Sequence, residues 1–121
     1  MWSVGITYVE VNVANPAEPN GWRTCRLLVD SGALYSVLPR PFLEELGIQP
    51  HSTRQFLLAD GSSIEREIGD AEFELEGHRG ASPVVFGEPG DAELIGTVTL
   101  EALGFVLDSI RRELRPARMR M

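Results

Sequence analysis

The chain has 121 residues, of which 43% are hydrophobic and 24% charged, with a formal net charge of −7 and a single cysteine. That length suits one domain, 1–121, burying roughly two-thirds of its unfolded surface. The acidic balance argues against nucleic acid or an anionic membrane as partner, because phosphates repel it, and the lone Cys25 excludes an intrachain disulfide and suits a reducing compartment.

Met1-Trp2-Ser3-Val4-Gly5-Ile6 has neither the basic segment nor the long apolar segment of a secretory leader. No apolar run reaches the roughly 18–20 residues of a spanning helix. The expectation is a cytoplasmic protein that engages no membrane. From Ile6 to Val13 the residues alternate, which predicts a half-buried strand. Asn15 to Gly21 has loop composition. Trp22 to Val29 is a second strand whose end, Leu27-Leu28-Val29, has no polar position, as expected of a strand covered on both faces. Leu34 to Leu38 predicts a short strand. Pro41 then suits the first turn of a short helix over Phe42 to Leu46, closed by Gly47.

Asp60-Gly61 is a strong two-residue turn between the runs Thr53–Ala59 and Ser62–Ile68. Ala71 to Leu75 alternates again, Glu76 to Gly80 turns, and Pro83 to Phe86 returns. Gly87 to Asp91 reads as a loop. Leu94-Ile95-Gly96 is a short buried strand. Thr97 is placed to cap a helix containing Leu100, Ala102 and Leu103, which Gly104 ends, and Phe105 to Leu107 forms a last strand. The arginine-rich tail from about residue 115 is expected to be disordered. Many short strands and one or two short helices make the chain mostly β, a barrel or a sandwich.

One stretch carries chemistry. In Leu27-Leu28-Val29-Asp30-Ser31-Gly32-Ala33 a stiff strand delivers a carboxylate to a sharp turn, a hydroxyl follows to lock the loop, and a glycine lets another backbone approach. The other candidates read more plainly. His51 and His78 are far apart in turn contexts, and no Cys or His cluster suggests a metal, so no metal or cofactor is expected. Ser31, Ser36 and Ser109 lack the Gly-x-Ser-x-Gly elbow of serine hydrolases. No phosphate-binding glycine loop is present. Asp60 is explained by its turn.

The Asp30-Ser31-Gly32-Ala33 loop, Ser36-Val37-Leu38 behind it, and the later Leu94-Ile95-Gly96 strand with its helix occur in an order that resembles the retropepsins, the retroviral-type aspartic proteases, and especially their bacterial and archaeal single-domain relatives. The resemblance spans roughly residues 7–114. It implies a closed β-barrel of the acid-protease type and an aspartic endopeptidase in which Asp30 is catalytic and Ser31, Gly32 and Ala33 form the active-site loop. It makes Ala59, Asp60, Gly61 and Ser62 the flap over an extended peptide substrate. Pepsin-type enzymes carry two such motifs in one chain. This chain carries one, so the resemblance implies a homodimer with one aspartate from each subunit. Two departures stand out: Leu34 and Thr97 replace an acid and an arginine that pair in many viral members, and the flap tip has only one glycine. They keep open an alternative, a non-catalytic peptide-binding or dimerisation module that retains the fold.

Overall fold

The computed structural model describes residues 2–3, 8–108, 110–111 and 113–118. In chain order the elements are β1 (Trp2–Ser3), β2 (Tyr8–Asn15), β3 (Glu18–Val29), β4 (Ser36–Pro39), α1 (Arg40–Glu45), β5 (Ser52–Leu57), β6 (Ser63–Leu75), β7 (His78–Gly87), β8 (Leu94–Ile95), α2 (Thr97–Ala102), β9 (Phe105–Asp108) and β10 (Glu113–Pro116). The fold is mostly β with two short helices. Seven strands form one sheet in the order β2-β3-β8-β4-β7-β6-β5, and β2 also pairs with β6 through Asn12–Ala14 and Glu72–Glu74. The sheet therefore curls until two strands distant in its order meet. A second sheet has the order β1-β10-β9.

The curl encloses one apolar core. Leu27, Val13, Leu38, Phe73, Phe86, Ile95, Leu100 and Phe105 are all buried in it, each stabilising the fold by roughly 1.5–3 kcal/mol through removal from water. The strands alternate as their sequences predict: in β2, Val9, Val11 and Val13 go inward while Glu10 stays exposed.

Several elements differ from the sequence expectation. The loop at Asn15 to Gly21 is only a tight turn at Pro16-Ala17. Asn15 Oδ1 accepts the Ala17 amide at 2.9 Å and Pro16 fixes its own backbone, so β3 already begins at Glu18. The apolar end of β3 is covered on one face only: Leu27 and Val29 are buried, whereas Leu28 is half-buried. The runs expected on either side of Gly69 are one continuous strand, β6. Gly69 serves close packing here, since a Cβ would lie 2.9 Å from the Phe86 ring and 3.0 Å from the Gln49 carbonyl.

Thr97 does not cap α2. Gly96 is the N-cap, without a side-chain bond, and Thr97 is the first helical residue. Phe105–Asp108 is not the last strand, because Glu113–Pro116 pairs with it as β10 and also with β1. Arg115 and Pro116, expected in a disordered tail, are thus held in a sheet, with Leu114 fully buried. Residues 119–121 of that tail lie outside the described residues, as does Ser109.

Candidate active site

Asp30 emerges where β3 runs out of antiparallel partner and meets β8. The two strands run parallel with Leu28 opposite Leu94 and Val29 opposite Ile95. The Leu28 amide donates to the Glu93 carbonyl and the Asp30 amide to the Ile95 carbonyl, each at 3.2 Å. The chain then turns at once. Asp30 Oδ1 accepts the Gly32 amide at 2.8 Å, and the Ala33 amide donates to the Asp30 carbonyl at 3.2 Å. A Cβ on Gly32 would press on that oxygen at 3.3 Å, so glycine keeps the carboxylate uncrowded. Asp30 is half-buried, with Ser31 and Gly32 exposed beside it.

The turn is supported from behind by α2. Helix N-termini carry free amides, and two in α2 donate to the loop that follows Asp30: Thr97 N to the Ala33 carbonyl and Val98 N to the Leu34 carbonyl, both at 3.0 Å. This explains how the helix starts without a capping side chain. The close approach requires Gly96, where a Cβ would sit 2.7 Å from the Leu34 oxygen and from the Tyr35 backbone.

Beneath this contact lies a buried hydroxyl relay. The Gly96 amide donates to Ser36 Oγ at 3.0 Å, Ser36 Oγ lies 2.5 Å from Thr99 Oγ1, and Thr99 Oγ1 lies 2.8 Å from Ser82 Oγ. Ser82 Oγ donates to the Pro83 carbonyl at 3.1 Å. That last bond sets the direction of the whole relay. If Ser82 spends its proton on Pro83, Thr99 donates to Ser82 and Ser36 donates to Thr99. Every buried hydroxyl is then satisfied.

The Asp60-Gly61 turn forms as expected, with Gly61 at φ +90°. The Gly61 amide donates to the Leu58 carbonyl at 3.0 Å and the Leu58 amide to the Ser62 carbonyl at 2.8 Å. Asp60 Oδ1 accepts both the Ser62 hydroxyl, at 2.5 Å, and the Ser62 amide, at 2.9 Å. These bonds hold its carboxyl below the usual range, the hydroxyl contributing most. The Asp60 carboxylate is thus engaged in its own turn. Just before it, Leu57 is 81% exposed.

The loop and the hairpin, separate in sequence, are joined by an open groove of about 240 Å³. Ala33, Tyr35, Val37 and Leu94 line it on the loop side, and Phe56 and Ile64 on the hairpin side. Its polar end is closed by Arg66 and Asp91, paired through Nε–Oδ2 at 2.7 Å and Nη2–Oδ1 at 2.9 Å. The Arg66 guanidinium holds the Asp91 carboxyl below the usual carboxylate range. Of the positions singled out from the sequence, Asp30, Ser31, Gly32 and Ala33 share one turn. Ala59, Asp60, Gly61 and Ser62 share the hairpin tip. Leu34 is 59% exposed, in line with its having no charged partner to seek.

The sequence reading missed the groove residues Tyr35, Phe56, Ile64, Arg66 and Asp91. Arg54, Phe56, Ile64 and Arg66 lie at every second position of two paired strands, a signal that would have placed them on one face. The relay left a fainter trace, three small hydroxyl residues in otherwise apolar segments. The histidines sit apart: His51 faces Asp70 at 3.2 Å, and the His78 ring packs on Phe105 with centroids 4.4 Å apart. Burial pushes the Cys25 thiol up to about 12, with the nearby Glu93 charge adding to it, so the thiol is unreactive at neutral pH. Among the described residues no helix is long and apolar enough to cross a membrane.

The sequence profile of the family described as "Aspartyl protease" matches residues 10–107, from β2 to β9. Among solved structures, the simian foamy virus (mac) protease in solution is similar in fold, with a TM-score of 0.55 and 20% identity over 78% of this chain and 91% of that one. No protein with a curated description matches. The family match covers most of the chain and contains the Asp30 turn, the hairpin and the Gly96 contact, and the chain belongs to the aspartyl protease family, with the fold of a retroviral protease.

Proposed function

We propose that the chain is an aspartic endopeptidase that acts as a symmetric homodimer, with Asp30 of each protomer flanking one water. The observation that carries this reading is the Asp30 turn, whose backbone amide donates to Ile95 of β8, whose carboxylate accepts the Gly32 amide and whose loop is braced by the α2 amides. Peptide hydrolysis by this route needs two carboxylates. One accepts a proton from the water as it attacks the carbonyl carbon, while the other, protonated, donates to the carbonyl oxygen. Two carboxylates that close share a single proton, the established behaviour of aspartic-protease dyads, and they titrate as a pair. One chain supplies one such aspartate, so a two-fold axis beside the loop must supply the second.

Apolar surface next to the loop suits such an axis. Leu28 is half-buried and Leu34 exposed, and a groove of about 210 Å³ lined by Ser31, Leu100, Phe105 and Leu107 adjoins β9. In this scheme Ser31 reaches toward the partner loop, Gly32 lets the substrate backbone lie close, and Ala59 to Ser62 close over an extended peptide that pairs as an added strand. We read the curled sheet as the acid-protease barrel and the protein as cytoplasmic, the latter from its single thiol. Asp30→Asn should abolish cleavage of unfolded protein while leaving the circular dichroism spectrum and solution mass unchanged. Undiminished cleavage by that variant would refute the mechanism.

The hairpin tip supports one second reading, a peptide-binding or dimerisation module without catalysis. Its Asp60 side chain is locked to Ser62 in place of the freer glycine-rich tip of viral members. A dimer structure separates the two readings by whether the Asp30 carboxylates lie close enough to share a water.

A further inference from the structure

Strand alternation sorts the flap hairpin into two faces. Phe56, Ile64 and Arg66 line the groove, so Arg54, two residues before Phe56 and directly opposite Arg66, belongs to the same face. The acidic residues of the paired hairpin strands, Glu65 and Glu67, lie on the other face, where Glu67 Oε1 pairs with Arg40 at 2.6 Å. Two guanidinium groups thus stand across from each other on the groove side. Asp91 neutralises one of them, Arg66.

Arg54 has no such partner. Its Nη1 donates to the Tyr35 hydroxyl at 2.6 Å and its plane lies 5.6 Å from the Tyr35 ring centroid. Among the described residues no carboxylate lies within ion-pair distance of it. The residue is exposed, and a guanidinium carries five N–H donors. Of the arginines on the groove side of the hairpin, Arg66 pairs with Asp91 and Arg54 is left to pair with a ligand. Tyr35 fixes it at the groove's edge: the phenol binds Arg54, and the ring lines the groove and meets Phe56 edge-on, with centroids 6.2 Å apart.

We infer that this site selects extended peptides carrying a large apolar side chain next to an acidic one. The apolar side chain fills the groove, and the carboxylate pairs with Arg54. At about 240 Å³ the groove exceeds the roughly 150 Å³ cavity that accommodates a benzene ring, so a Leu, Ile or Phe side chain fits. The fork of Arg54 offers a carboxylate two parallel donors. The inference rests on the endopeptidase reading for its substrate, but its central claim concerns binding and can be measured without cleavage.

The probes are three fluorescent decapeptides that differ only beside a central leucine, in Glu, Gln or Lys. Their affinity for the Asp30→Asn protein is measured by anisotropy, and cleavage by the unmodified protein is measured in parallel. The Glu peptide should bind about threefold to tenfold more tightly than the Gln peptide, an advantage that fades with added salt. For cleavage it should appear in KM. Arg54→Gln should bring the Glu:Gln ratio to about one, and Arg54→Glu should transfer the preference to the Lys peptide. A charge preference unchanged in both Arg54 variants overturns the inference. If selectivity follows Arg54 but Asp30→Asn still cleaves, the endopeptidase reading falls and this one stands.

Discussion

Asp91 holds two structures together at once. Its carboxylate pairs with Arg66 at the end of the groove and accepts the Glu88 amide at 2.8 Å, tying the β7–β8 connection to the hairpin. The Arg66 bonds keep its acidity high, so the folded carboxyl titrates below the unfolded value of roughly 3.9. A depressed carboxyl stabilises the fold at every pH above that unfolded value, and the contribution is lost as pH falls through the folded one. Asp91→Asn should therefore cost about 1–2 kcal/mol near neutral pH. The difference from the unmodified protein should shrink as the pH falls below the unfolded value and through the folded one. Urea denaturation of both proteins at neutral pH and across a series of acidic pH values measures it. At this scale Asp30 was legible because a carboxylate after three apolar residues is conspicuous. Arg54 and Asp91 were not, because their meaning depends on what lies across a strand pair or a loop.

At the scale of elements, the notable contact is between α2 and the loop it braces. A helix of six residues is too short to hold itself together. It forms here because its first amides find the Ala33 and Leu34 carbonyls, while Thr99 and Leu100 are buried against the sheet. The relay through Thr99 fastens the other side. Thr99→Val keeps the shape but leaves the Ser36 hydroxyl without an acceptor, which should cost about 1–3 kcal/mol. The expected reading is a lower urea midpoint at an unchanged slope.

The sequence placed this helix correctly and assigned its cap wrongly. Ser and Thr usually cap with a side chain, but here carbonyls from a segment sixty residues earlier do so, and nothing local announces that. Gly69 misled in the same way. Its contact with Phe86 is tertiary, so a residue that reads locally as a break sits inside a long strand.

At the scale of the whole molecule, the proposed function treats the chain as half of a dimer. Its proposed chemistry needs two copies of Asp30, and the β1-β10-β9 sheet leaves β9 with a strand partner on one side only among the described residues. If the active unit is a dimer, specific activity should fall on dilution, and the mass in solution should be twice that of the chain. A subunit-mixing experiment is sharper. Equal amounts of unmodified and Asp30→Asn chains, allowed to exchange, should retain about a quarter of the activity, since only pairs with both aspartates work. Chains that acted singly would retain about half. The sequence pointed to this dependence by carrying one motif where the chemistry asks for two. It did not foresee that Arg115 would enter a sheet, because a charged residue near a chain end looks like tail until a partner strand is found.

The pairing of β1 with β10 carries one more consequence. Trp2 lies opposite Leu114, so the first and last strands described are neighbours in one sheet and the described path nearly closes into a ring. A ring can be opened anywhere its backbone is exposed and lightly bonded. Linking β10 to β1 with a short glycine segment and cutting at Gly61 gives a circular permutant in which every strand pair survives and the hairpin tip becomes two loose arms. Such a protein would separate what the fold needs from what the proposed role of the hairpin tip needs.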